Sequence, residues 1–136
     1  MAAALIDSDT LSEVVKGRDQ TVRAHSLTYL AVHGKFTFSI ITQYEILRGL
    51  MAKQAIRQIQ TFKHRCAGSS VLPLTDSIVD KAADIYGQLH RTGQLISDAD
   101  ILIAATALAH GLDVVTENVS HYGRIAGLTL RSWRVP

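Results

Sequence analysis

Short β-branched runs alternate with stretches of helical period along this chain, and that alternation constrains its fold more than any other feature. The clearest unit is Leu95 to Asn118, LISDADILIAATALAHGLDVVTEN. An acidic pair, Asp98 and Asp100, stands directly before the apolar run Ile101–Ala109; the run closes on His110-Gly111, and Val114-Val115-Thr116 follows. Carboxylates suit a helix N-terminus, glycine its end and β-branched residues a strand. The stretch therefore reads as a helix that begins at carboxylates and feeds a strand.

The same grammar recurs upstream. Ala3–Ile6 reads as a buried strand ending at Asp7-Ser8-Asp9, and Thr10-x-x-Glu13 has capping-box spacing, which predicts a helix from Asp9 or Thr10 to Lys16-Gly17. Asp19 caps a second helix that stops near His33-Gly34. Phe36–Ile41 is β-branched and aromatic, a second strand, and Thr42-x-x-Glu45 again has capping-box spacing. Helical ground follows, with Gly49 as a candidate break and Gly68 as a stop. Val71–Leu74 is a short strand, Thr75 or Asp76 caps a long helix, Arg91–Gln94 is a loop, and Leu128–Leu130 is an edge strand with Trp133 close by.

Strands alternating with helices predict a parallel sheet covered on both faces. The expectation is a three-layer α/β/α sandwich with a central, mostly parallel sheet of four to five strands, in a single domain over residues 1–136. Apolar residues at 47% and charged residues at 19% suit a globular core. No apolar run approaches the roughly 18–20 residues of a membrane helix, and MAAALIDSD lacks the basic region of a signal peptide. A lone cysteine, Cys66, leaves no internal disulfide and no zinc cluster, and reads as a helix residue at least partly buried. A cytoplasmic location is the default expectation.

In open parallel sheets, ligands bind outside the carboxyl ends of strands. Asp7 lies at such an end, Glu45 just past one, and Asp100 opens a helix that leads to the next strand. Each acid has a bland alternative, since Glu45 and Asp100 stand at capping-box positions where the helix dipole favours a carboxylate. Against it, a carboxylate directly after a buried strand is costly if unpaired, and Asp7-Ser8-Asp9 and Asp98-Ala99-Asp100 double the acids where one cap suffices. Converging carboxylates raise one another's pKa, and a divalent cation relieves them. Hard oxygen ligands favour Mg²⁺ or Mn²⁺ over zinc, and such a site suits phosphodiester hydrolysis. If Asp7, Asp9, Glu45, Asp98, Asp100 and Glu117 share one pocket, six of the twelve acids remain against fourteen Lys and Arg. The rest of the surface is then basic and suits a polyanion.

At these residues the chain resembles the PIN-domain family, and most closely the VapC toxins of bacterial toxin–antitoxin pairs. Leu5-Ile6-Asp7-Ser8-Asp9 resembles the family's strand and Asp-Thr-Asn-like opening. Ser39 through Gly49, SIITQYEILRG, resembles its strand, Ser/Thr and Glu-Leu-x-x-Gly-like helix. Asp100-Ile101-Leu102-Ile103-Ala104-Ala105-Thr106-Ala107 is similar to Asp-x-x-Ile-Ala-Ala-x-Ala. Val114 to Asn118 resembles a Val-Thr-x-Asn/Asp strand end, and His121-Tyr122 a His-Phe-like pair. The resemblance spans nearly the whole chain.

It implies a Mg²⁺- or Mn²⁺-dependent endoribonuclease that inhibits translation by cutting tRNA, rRNA or mRNA, with Asp7, Glu45 and Asp100 as catalytic and metal-binding acids. It further implies a small VapB-like antitoxin as partner and a homodimer. Ser8, in place of threonine, keeps the hydroxyl, and Asp9 replaces the usual Asn. Asn118 stands where some relatives carry a fourth acid, and Glu117 is its neighbour. Asp98 is an extra acid, either supporting or a solvated cap. Thr116 supplies a further hydroxyl that either orients a carboxylate or is bonded to backbone. Arg48, one turn from Glu45, contacts phosphate or pairs with that acid, whereas Lys53, Arg57, Lys63 and Arg65 read first as a solvated face and second as an RNA-docking surface. The alternative is a non-catalytic RNA- or partner-binding module of the same fold whose acids only cap helices. A receiver-like domain needs a lysine after a later strand, and Val115-Thr116-Glu117 has none.

Overall fold

The first strand is buried on both faces, and the rest of the fold is layered about it. The computed structural model describes residues 1–136. Its elements in chain order are β1 (Ala4–Ile6), α1 (Ser8–Lys16), α2 (Gln20–His33), β2 (Thr37–Ser39), α3 (Ile40–Ala52), α4 (Ile56–Ala67), β3 (Ser70–Leu72), α5 (Asp76–Arg91), α6 (Asp98–Ala109), β4 (Asp113–Val115), α7 (Val119–Tyr122) and β5 (Leu130–Arg131). Along β1, side chains alternate between the sheet's two faces. Leu5 packs with Val114 against Ile78, Ile85 and Leu89 of α5 and Ile103 of α6. Ala4 and Ile6 pack with Val115 against Leu11, Val22, Tyr29, Phe62 and Trp133. With helices over both faces, the strands read as continuous apolar runs, and the α/β/α layering is in place. Each fully buried Leu, Ile or Val contributes about 1.5–3 kcal/mol, so the sheet residues anchor both layers at once.

All strand pairs are parallel, in the order β1-β4-β5 and, separately, β2-β3. The five strands are thus divided, and β2 lies beside β1 without a ladder to it. One cause is visible. Ala4 turns its backbone groups away from β4, and there the Tyr29 hydroxyl donates to Ala4 O and accepts from Ala4 N, both at 3.2 Å. A side chain of α2 takes the edge that a neighbouring strand would use.

Several boundaries differ from the sequence expectation, and the differences bear on the site. The cap of α1 is Asp7, whose Oδ1 accepts from Thr10 N at 2.8 Å, so the helix starts at Ser8. The cap of α3 is Ser39, whose Oγ accepts from Ile41 N at 3.0 Å. Ile40 and Ile41 have strand propensity, yet they form the first turn of a helix; tertiary packing overrides a weak local preference. Gly49 is interior to α3, which ends instead at Lys53, followed by Gln54 at φ 53°. Asp19, Ser97 and Thr75 cap α2, α6 and α5 as their positions predict. The four-residue α7 is too short to leave a periodic signal, and β5 falls slightly later than the expected edge strand. No helix is long and apolar enough to cross a membrane.

The reassigned cap is directly testable. Ser39→Ala should cost about 1 kcal/mol of unfolding free energy, as loss of a helix N-cap does. Chemical denaturation checks it, and an unchanged midpoint would return the cap to Thr42.

Candidate active site

The carboxyl end of β1, the helix that follows β2 and the N-terminus of α6 deliver three acids from three directions. Asp7 continues β1, its N–H donating to Val115 O at 3.1 Å, while its side chain caps α1. One residue therefore ends a strand and starts a helix, and its carboxylate is almost fully buried. Its second oxygen, Oδ2, accepts from Thr116 Oγ1 at 2.5 Å. The Thr116 hydroxyl in turn accepts from Asn118 N at 2.9 Å, so it is fixed at both ends. Both readings of Thr116 hold together: it is bonded to backbone, and it orients a carboxylate.

Burial pushes the Asp7 carboxyl up to about 6 from the ordinary 3.8; the hydrogen bonds from Thr116 and Thr10 oppose the rise, and the Asp9 charge adds to it. Desolvation wins because no buried cation sits beside this group.

Glu45 lies in the second turn of α3, six residues beyond the Ser39 cap, and so caps nothing. Ser8 Oγ donates to Glu45 Oε1 at 2.6 Å and sits 3.0 Å from the buried Thr42 hydroxyl. Arg48 approaches Glu45 Oε2 at 3.6 Å, remains 59% exposed, and lies over the Tyr44 ring with its guanidinium carbon 5.3 Å from the centroid. A half-exposed pair at this distance contributes little stability, so Arg48 is free to move.

Asp100 opens α6. Its N–H is capped by Ser97 Oγ at 3.2 Å, but its carboxylate does not reach back to complete a capping box. Instead Oδ2 lies 2.8 Å from His121 Nδ1 and Oδ1 accepts from the Tyr122 hydroxyl at 3.2 Å. Asn118 Nδ2 is 2.9 Å from the same His121 nitrogen. Tyr122 is buried, and burial together with the negative charges of Asp100, Asp7 and Glu45 pushes its hydroxyl far above the usual phenol range. Of the three acids only Asp100 touches the Tyr122 hydroxyl; the charges of Asp7 and Glu45 act on it from farther away.

The other expected acids take no part in the hydrogen bonds that fix these three. Asp9 is exposed at the rim, in two adjoining concavities. Asp98 is exposed and pairs with no side chain. Glu117 turns away, accepting from Ser132 Oγ and Arg134 N. Of the six acids expected in one pocket, Asp98 and Glu117 leave it, since helix phase and the turn after β4 aim them elsewhere, while Asp9 stays at its edge beside Glu45. No three acidic, histidine or cysteine side chains form a closed metal cage as they stand. Two residues had no part in the sequence-based site. Thr42 entered only as a cap, and Tyr122 only as the second member of a His-Phe-like pair. The signal for Tyr122 was present: a hydroxyl where the resembled motif has phenylalanine.

The model of the PIN domain family matches residues 4–127. Ribonuclease VapC1 of Methanocaldococcus jannaschii is 31% identical over 98 residues, 72% of this chain and 70% of that protein. The tRNA(fMet)-specific endonuclease VapC of Shigella flexneri is 25% identical over 137 residues, covering 98% of this chain and 99% of that one. Among solved structures, DNA-bound VapBC from Salmonella typhimurium superposes with a TM-score of 0.86 at 24% identity, over 98% of this chain and 99% of that chain. The chain belongs to the PIN domain family, within its VapC branch.

Proposed function

We propose that this chain is a metal-dependent endoribonuclease toxin, neutralised by a small antitoxin. The observation that carries the reading is the placement of Asp7, Glu45 and Asp100 at one end of the sheet, with Ser8, next to Asp7, bonded to Glu45, with Tyr122 bonded to Asp100, and with Glu45 relieved of any capping duty. The relatives named above are called ribonuclease and endonuclease, and the similar solved structures include VapBC toxin–antitoxin complexes.

The donor set fits Mg²⁺ or Mn²⁺. Every ligand offered is a hard oxygen, and Asp7 is a desolvated carboxylate without a buried cation. Asp7, Glu45 and Asp100 would hold the ion, which when bound acidifies a coordinated water and offsets charge developing on the phosphate. The protein's own hydroxyls do the aiming: Thr116 fixes Asp7, Ser8 fixes Glu45 and Tyr122 fixes Asp100. Asn118 adds no charge; its amide and the Asp100 carboxylate both lie against His121 Nδ1, which can bond only one of them at a time. Antitoxin inhibition fits an arginine entering this pocket, since guanidinium pairs well with carboxylates. A homodimer belongs to the same reading, supported by Tyr44, Met51 and Ile56, which remain half or more exposed.

Cleavage of purified RNA with Mg²⁺ or Mn²⁺ tests it. The wild type should cut, and folded Asp100→Asn should not. Tyr122→Phe keeps the ring in the core and deletes one hydrogen bond to a metal-binding carboxylate, so activity should fall about 10- to 100-fold. Full activity in folded Asp100→Asn would remove the site assignment.

A further inference from the structure

Glu117 points away from the acidic centre, yet its carboxylate is held by two donors, Ser132 Oγ at 2.5 Å and Arg134 N at 3.2 Å. The residue is exposed, so water could satisfy it, and burial does not call for these partners. Hydrogen bonds to an ionised acceptor are among the stronger ones. Both donors belong to the segment that follows β5.

That segment is anchored where the turn it grips is not. Arg131, before the donors, pairs with Val115 in the sheet. Trp133, between them, is buried, its ring centroid 5.7 Å from that of Tyr29 and 6.3 Å from that of Phe36. Val135 O, after them, lies 2.8 Å from His25 Nε2 on α2. Residues 116–118, by contrast, belong to no helix or strand, and Asn118 opens α7 without a side-chain bond to it. This turn carries groups on which the acidic centre depends. Thr116 Oγ1 donates to Asp7 and accepts from Asn118 N, and the chain runs on to His121 and Tyr122 beside Asp100. The entry to the turn is fixed by Thr116 N, which donates to Arg131 O at 2.9 Å. Glu117 supplies a second tie to the same segment, one residue further on. One tie leaves the turn free to swing; two set the direction of the Thr116 hydroxyl as well as its position.

We propose that Glu117 is a positioning residue for the acidic centre: its bonds to Ser132 and Arg134 hold the 116–118 turn so that the Thr116 hydroxyl stays aimed at Asp7. The inference deepens the ribonuclease reading and rests on it for the reaction, but the hold on the turn belongs to the free protein and is measurable there. Charge is not the agent, because the carboxylate turns away from the three acids. Glutamine offers the same acceptor oxygen.

The test compares Glu117→Ala with Glu117→Gln. Both lose the same charge, so any electrostatic effect on RNA or metal is common to the two, and only alanine loses the acceptor. In EDTA, solvent exchange of the Asn118 N–H, followed by NMR, should quicken about tenfold in Glu117→Ala and stay within about twofold of wild type in Glu117→Gln. With Mn²⁺ and no RNA, electron paramagnetic resonance of the free ion should show about tenfold weaker binding in Glu117→Ala alone. Its kcat for RNA cleavage should fall about tenfold below that of Glu117→Gln, at the same KM. In a Thr116→Val background the alanine effect on Mn²⁺ and kcat should vanish, because residues acting through one another are not additive. Thr75→Ala removes the cap of α5 and controls for lost stability; it should show none of these changes. Equal losses in Glu117→Ala and Glu117→Gln, full additivity with Thr116→Val, or the same losses in Thr75→Ala would overturn the proposal. If the wild type binds no Mn²⁺ and cuts no RNA, the ribonuclease reading fails and Asn118 exchange decides the hold on the turn. Quicker exchange in Glu117→Ala alone then upholds it, and equal exchange in all variants removes it. If wild type and Glu117→Ala bind Mn²⁺ and cut RNA equally well, the reading stands and the role of Glu117 falls.

Discussion

Asp7→Asn should yield a protein that cleaves no RNA and yet, without metal, is more stable than the wild type at pH 7.5. The Asp7 carboxyl is raised from 3.8 to about 6 by burial. Between those values the folded state holds a proton that the unfolded chain has released. Stability therefore falls as pH rises from about 4 to about 6, and above that window the buried charge costs roughly 3 kcal/mol. Asparagine keeps the shape and can still accept from Thr10 N. Its amide can donate to the Thr116 hydroxyl, which already accepts from Asn118 N. Relief of even half the cost raises the melting temperature by on the order of 5 °C. Cleavage should drop by roughly 10²–10³-fold or more, the scale of losing a preorganised electrostatic group. Denaturant midpoints in EDTA from pH 4 to 7.5 decide the stability arm. The wild-type curve should decline through the window relative to the variant, and parallel curves would mean that Asp7 carries no unrelieved charge. A residue whose removal stabilises the fold while abolishing activity is one held in place for chemistry.

That distinction was only partly legible in the sequence. The alternation of strands and helices gave the layers and the parallel sense, because burial on both faces leaves unbroken apolar runs such as Ala4–Ile6. Asp7 and Asp100 stood out through position and doubling. Glu45 did not, since Thr42-x-x-Glu45 spells a capping box as well as a site. Only the three-residue earlier start of α3 separates the two, and that start is fixed by the pairing of Phe38 and Ser39 with β3, a contact more than thirty residues away. Which neighbour of an acidic doublet faces inward is likewise a matter of helix phase. Asp98 and Asp100 are two residues apart, so they stand on different sides of α6. The division of the sheet was unreadable for a similar reason: the hydroxyl of Tyr29 reaches Ala4 across twenty-five residues.

Adding Mg²⁺ or Mn²⁺ at pH 7.5 should raise the melting temperature of the wild type, and Asp7→Asn should lose that response. An ion that binds only the folded state stabilises it by RT ln(1 + [L]/Kd), about 2.7 kcal/mol at a hundred times Kd. For a chain of this size that corresponds to roughly 9 °C. The response should also fade on acidification. Below about pH 6 the ion must displace the Asp7 proton, so its apparent affinity falls close to tenfold for each further pH step if one proton is displaced. Binding asks for rearrangement as well, because no three ligands yet close on one point and Arg48 stands 3.6 Å from Glu45. Arg48→Ala should therefore strengthen the metal response. Equal metal-induced shifts in wild type and Asp7→Asn would place the ion away from these acids. A shift that persists undiminished at pH 5 would separate metal binding from the buried carboxylate on which the proposed chemistry depends.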